Sequence, residues 1–228
     1  IIKYRLLDIG IVFRRGTVYI LTSAAVTAPV IGLFFLVTNI LYESPLAPWL
    51  FFVLVIGELA LVFSIAGMVH RMSASTATAL FVLYSALNGV TLSVIFLMYT
   101  QASIFTTFFI CAGTFIGCSI YGWTTKRDLT SLGGFLVMGL IGIIIASVVN
   151  MSVRSGAMSA VISYIGVFVF VGLAAYDTQK LKNMAATQPD DADGAVIRKG
   201  AILGALSLYL DFVNLFLMLL RIFGQSRE

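Results

Sequence analysis

Five ionisable residues stand where a lipid-embedded helix would ordinarily carry none: Glu58, Arg71, Asp177, Asp211 and Arg221. Each lies inside or at the end of a long apolar run. Asp211 is the most isolated, in Leu208-Tyr209-Leu210-Asp211-Phe212-Val213. A charged side chain at a bilayer centre costs about 2.5–3.5 kcal/mol on insertion scales, which makes each of the five a candidate for ion or proton traffic. Asp211 has no basic residue at its own depth, and the nearest candidate on an adjacent run is the second acid, Asp177. Two carboxyls within hydrogen-bond reach do not both ionise easily and tend to share a proton. The pair would then be a proton-sensitive element. Two plainer readings stay open: Asp177, ahead of Thr178 and Lys180, as an interfacial residue, and Asp211 as a protonated acid hydrogen-bonded to a neighbouring helix.

The elements that must position these residues follow from composition. Of 228 residues, 60% are apolar and 11% are charged, with a mean hydropathy of +1.05. Soluble domains are about 25% charged, so the chain reads as a polytopic membrane protein. The 4 Pro and 2 Cys exclude collagen-like and disulfide-stapled classes. A helix needs roughly 20 apolar residues to cross the hydrocarbon, and seven such runs are expected: 17–41, 49–69, 78–99, 103–123, 131–151, 157–177 and 200–223. The runs are continuous rather than alternating, so strands are excluded. The expected architecture is all-α, with residues 1–228 forming one seven-helix domain. Because the chain starts at Ile1 rather than Met, a preceding segment is expected.

Eleven Lys and Arg fall on one side of this arrangement: Lys3, Arg5, Arg14, Arg15, Arg71, Lys126, Arg127, Lys180, Lys182, Arg198 and Lys199. Three fall on the other, Arg154, Arg221 and Arg227. Basic loops stay cytoplasmic, which puts the N-terminus inside and the C-terminus outside. The net charge of +4 is then a matter of topology and anionic headgroups, with no nucleic-acid partner. In this frame Arg71 and Asp177 both reach the cytoplasmic face and can pair. Glu58 and Arg221 share the outer half, where they can pair, or Arg221 can snorkel to the interface. Asp211 should lie about 15 Å below the cytoplasmic face, deeper than Asp177. Tilt, or a last helix starting near Leu203, would have to close that gap.

Other chemistries are set aside residue by residue. Tyr176-Asp177 copies part of an intramembrane aspartyl protease motif, but Leu208-Tyr209-Leu210-Asp211 lacks the glycines that admit a substrate backbone. The only histidine, His70, stands beside Arg71 at a helix end, which leaves no buried Ser/His pair, and the last span has no lysine for retinal. One His and two Cys make no zinc set, and Cys111 and Cys118 are about 10.5 Å apart by helix rise, too far to bridge. Asp191-Ala-Asp193-Gly194 is part of a calcium loop pattern, but Pro189 and Gly200 occupy its first and last ligand positions. The protein is therefore expected to be no enzyme and to carry no cofactor.

The last two runs contain Gly172-Leu-Ala-Ala-Tyr176-Asp177-Thr-Gln-Lys180-Leu-Lys182 and Ala205-Leu-Ser-Leu-Tyr209-Leu-Asp211-Phe-Val-Asn214-Leu-Phe-Leu-Met-Leu-Leu-Arg221. With Tyr84-Ser-Ala-Leu-Asn88-Gly89 and Thr124-Thr-Lys126-Arg127-Asp128-Leu, these segments resemble the Bax inhibitor-1, or transmembrane Bax inhibitor motif, family, in particular its bacterial inner-membrane members. The resemblance runs from about Glu58 to the end. It implies a seven-helix fold with the last helix central. It also implies a pH-sensitive calcium leak channel, in which Asp177 and Asp211 share a proton and are candidate Ca²⁺ contacts, Arg71 latches the closed state, and Glu58 and Arg221 occupy the family's outer acid and arginine positions. The implied partners are the bilayer, protons and Ca²⁺, and, as the alternative function, a membrane-bound quality-control protease that the protein would modulate without conducting.

Overall fold

A computed structural model describes residues 47–69, 71–187 and 194–227. The expected span at 17–41, the basic residues Lys3, Arg5, Arg14 and Arg15, His70, and the acidic cluster Asp190, Asp191 and Asp193 lie outside the described residues. The chain folds as α1 (Ala47–Met68), α2 (Ala74–Leu92), a short α3 (Ile95–Met98), α4 (Gln101–Thr124), α5 (Thr130–Val153), α6 (Gly156–Ala186) and α7 (Gly194–Phe223). Among the described residues there is no strand, only an isolated antiparallel bridge between Tyr99 and Ser226. Backbone hydrogen bonds closed within each helix are what lipid demands of a spanning segment.

Five stretches are long and apolar enough to cross a bilayer: Ala74–Met98, Gln101–Thr124, Thr130–Val153, Gly156–Ala186 and Gly194–Phe223. Phe52–Met68 is a shorter apolar helix. The seven expected spans are thus five of full length among the described residues. The largest departures come at the end of the chain. The helix expected to stop at Asp177 continues as α6 to Ala186, and the last helix begins at Gly194, ahead of both Gly200 and Leu203. The cause is local: Thr178 to Ala186 contain no Gly or Pro and several strong helix formers, so the helix outlasts the apolar run that marks the membrane.

Short polar caps separate the middle helices. Thr100 opens α4 by accepting from the Ser103 N–H at 3.4 Å, and Ser155 opens α6 by accepting from Met158 at 3.3 Å. Between α5 and α6 the chain turns at Arg154, whose φ of 54° is left-handed. The Asn150 side chain accepts the Ser155 N–H there at 3.0 Å.

The described residues divide into two compact units, 61–82 with 94–227 and 47–60 with 83–93. In the larger unit α6 packs against α4, α5 and α7, and α7 packs against α4 as well. Ile104, Cys111, Leu136, Phe170, Leu215 and Leu220 are among the side chains buried in its core. Half of the apolar window of α7 is buried, against 17% for α4 and α5, so α7 is the most enclosed of these spans. Phe105, Phe109, Phe135 and Phe168 stand exposed, as side chains facing lipid tails do. In the smaller unit, Glu58 of α1 is buried at 7% exposure.

Candidate functional site

Asp177 on α6 and Asp211 on α7 come together. Their carboxyls lie close enough to act on one another electrostatically. Asp211 is 5% exposed and its Oδ2 has no hydrogen-bond donor among the described residues, while Asp177 is half-buried. Two neighbouring carboxyl groups do not both ionise easily.

The register of the two helices explains how the acids meet. Gly200 lies against Met184, Gly204 against Leu181 and Gly166 against Met218, which makes α6 and α7 antiparallel. In that register Asp211 stands about one helical turn, roughly 5.4 Å, closer to the α6 N-terminus than Asp177 does. Every Cα–Cβ bond tilts toward the N-terminus of its own helix. In an antiparallel pair the two tilts oppose each other, so Asp177 and Asp211 lean together and close the turn between them. The depth gap expected from the sequence is closed by this lean and by the extension of α6 beyond Asp177, with α7 starting earlier rather than later.

The backbone around the pair is tightly held. Gly122 of α4 lies on the carbonyl of Ala175, two residues before Asp177, and Gly133 of α5 lies on the Tyr176 ring. Two residues after Asp177, the buried Gln179 accepts from the Leu129 N–H at 2.8 Å and donates to the Arg127 carbonyl at 2.7 Å. Lys182 donates to the Trp123 carbonyl at 2.6 Å, covering the end of α4. Within the same connection, the exposed Asp128 accepts from the N–H and hydroxyl of Thr130, which hold its carboxyl below the usual carboxylate range. The reading of the sequence stopped the span at Asp177 and so left Gln179 and Lys182 in a loop. A helical continuation through the Thr178-Gln-Lys-Leu-Lys segment is the signal that would have placed them.

Arg71 is not with the pair. Helix α1 ends at Met68, and Arg71 falls in the turn that follows, with its N–H bonded to the Met68 carbonyl and its side chain exposed. Among the described residues it forms no ion pair with Asp177 or Asp211. The guanidinium leaves the helix before it can be directed inward. Glu58 accepts from two neutral donors of its own unit, Asn88 Nδ2 at 3.1 Å and the Thr91 hydroxyl. Arg221, in the other unit, is exposed in the last turn of α7, where a cation complements the helix dipole.

Ca²⁺ takes six to eight oxygen ligands, and no three His, Cys, Asp or Glu side chains gather among the described residues. Two carboxylates by themselves fall short of such a shell. An acidic pair within apolar spanning helices, beside the contacts at Ala175 and Gln179, defines the class: a polytopic helical membrane protein with two neighbouring carboxyl groups on its packed helices. The chain belongs to the Bax inhibitor-1 family, since the family described as inhibitor of apoptosis-promoting Bax1 matches residues 14–228. Among similar proteins, the inner membrane protein YbhL of Escherichia coli K12 is 58% identical over 174 residues, 76% of this chain and 74% of that protein. An uncharacterized protein of Borreliella burgdorferi is 52% identical over 178 residues, 78% of this chain and 76% of its own. One from Rickettsia prowazekii is 49% identical over 158 residues, covering 69% and 66%.

Proposed function

We propose that this protein is a pH-sensitive calcium leak pathway of the bacterial inner membrane, with its N-terminus cytoplasmic and its C-terminus outside. The observation that carries the reading is the contact between the Asp177 and Asp211 carboxyls on two packed spanning helices. With one proton between them the pair bears a single negative charge and ties α6 to α7. Without it, two negative charges face each other at close range and call in a cation. Ca²⁺ from the path and the Arg71 guanidinium are the candidates, so protons, Ca²⁺ and the latch compete for one place. For Arg71 to serve as the latch, the turn that carries it must move inward from its exposed position. The name of the Escherichia coli relative supports the inner-membrane assignment, and the side with eleven of the 14 Lys and Arg supports the orientation.

The test is Ca²⁺ entry into dye-loaded liposomes containing the purified protein, scanned from about pH 6 to about pH 8, for wild type, Asp177→Asn, Asp211→Asn and Arg71→Ala. A pH-dependent wild-type flux is expected. Either Asn variant should flatten the dependence, because a carboxamide cannot take up the shared proton. Arg71→Ala should raise the flux where the wild type is closed. Well-folded protein with no flux above empty liposomes at any pH would remove the channel and leave modulation of a membrane protease as the account to pursue.

A further inference from the structure

Lys180 stands about one turn beyond the first acid, three residues after Asp177 and four after Tyr176 on α6. Residues three and four apart are neighbours on a helix surface. A helical side chain is directed back toward its own N-terminus, so the Lys180 stem runs toward both. Its ammonium lies 6.0 Å from the centre of the Tyr176 ring, within reach of a cation–π contact. That ring is itself held, since it lies against Gly133 of α5, where an added Cβ would collide with it. From this seat the Lys180 charge acts on the Asp177 carboxyl. Arg71, by contrast, is exposed in the turn after α1.

The two acids have unlike surroundings. Asp211 is 5% exposed and its Oδ2 has no hydrogen-bond partner among the described residues, whereas Asp177 is half-buried with Lys180 beside it. A negative charge costs least where water reaches it and a cation faces it, and a protonated carboxyl tolerates the deeper place. We propose that Lys180 is the positioning residue of the pair: its ammonium keeps the negative charge on Asp177 and leaves the proton on Asp211. Of the elements packed against α6, α5 carries no titratable side chain, α4 carries Cys111, Cys118 and Tyr121, and α7 carries Arg198, Lys199, Tyr209 and Arg221 besides Asp211. Helix α2, which meets Tyr209 at Phe81, adds Tyr84. With Gly200 at Met184, Lys199 falls about 12 Å along the axis from Asp177, against about 4.5 Å for Lys180. Lys182 is turned to the end of α4, where it donates to the Trp123 carbonyl, and Lys126, Arg127 and Asp128 of the next connection are exposed. The inference rests on the proton-sharing part of the reading above and does not require calcium conduction.

The test is an infrared titration of the whole protein in lipid vesicles, following the carboxylic-acid band that Asp211→Asn removes. If Asp211→Asn removes no band at any pH, the proton is not on Asp211 and the proposal falls. Loss of the Lys180 charge favours the protonated pair, so in Lys180→Gln the half-loss of the band should move to higher pH by about half a unit. Lys180→Arg keeps the charge and should restore the wild-type midpoint. Lys182→Gln removes the same net charge from α6 at a place turned to α4, and should leave the midpoint where it was. A Lys180→Gln midpoint equal to that of wild type overturns the proposal. So does an equal shift in Lys182→Gln or Lys180→Arg, which would trace the effect to net charge or to packing. Ca²⁺ entry into the same vesicles separates this inference from the channel. A titration that shifts as stated, without flux, removes the channel and upholds the role of Lys180. A pH-dependent flux with coincident Lys180→Gln and wild-type titrations removes that role and keeps the channel.

Discussion

Gly122 of α4 lies against the backbone carbonyl of Ala175 on α6, so close that a Cβ at position 122 would fall on that oxygen. The contact brings two spanning backbones together beside Asp177. Small residues have this use in membranes, where packing rather than hydrophobic burial draws helices together. Because the obstacle is backbone and not a flexible side chain, Gly122→Ala must push α4 away from α6. The expected cost is about 1–3 kcal/mol of stability, read as a lowered unfolding midpoint in detergent. Gly117→Ala, a mid-helix site with nothing within 4 Å of an added Cβ, should not lower the midpoint, since Ala is the better helix former.

Gln179 ties the connection between α4 and α5 to α6 through two bonds made inside the protein. Replacing it with Leu keeps the bulk and leaves the N–H of the buried Leu129 without an acceptor. An unsatisfied buried donor costs about 1–3 kcal/mol. Hydrogen exchange should show the Leu129 amide exchanging faster in Gln179→Leu than in wild type. Unchanged protection would mean that the clamp does not hold this connection.

Asp128 offers a pH-dependent reading outside the membrane. Bonds from Thr130 hold its folded-state pKa below the ordinary value. A lowered carboxyl pKa contributes stability that is complete above the unfolded pKa and is lost as pH falls through the folded one. Thr130→Val removes the hydroxyl donor and keeps the N–H, so the Asp128 carboxyl should titrate at a higher pH in a carbon-13 NMR titration. No movement of that titration would show the hydroxyl bond to be inert.

Arg154 closes α5 in a left-handed conformation, at φ 54°. A residue with a Cβ is disfavoured there by about 1–2 kcal/mol, and Gly is not. Arg154→Gly should raise the unfolding midpoint by the equivalent of roughly 1 kcal/mol. Arg154→Val should lower it, since a β-branched side chain fits that region worst.

The sequence alone determined the solvent, the helical class and the family. Lipid admits long apolar helices and excludes open strands, so composition and run length suffice to read α4 and α5 to within a few residues. The same run length misjudged α6 and α7, because it measures how far a helix stays apolar and not how far it stays helical. Thr178 to Ala186 are polar enough to end the first and regular enough to continue the second. The identities of the unusual acids were legible because charge inside an apolar run needs no context to stand out. Their contact was not. It depends on the antiparallel register set by Gly200, Gly204 and Gly166, and on two side chains tilting in opposite directions along the axis, quantities that exist only between helices. The setting of Arg71 was likewise a tertiary matter: α1 ends at Met68 and Arg71 falls exposed in the turn that follows, since a side chain's direction is fixed by the backbone that carries it.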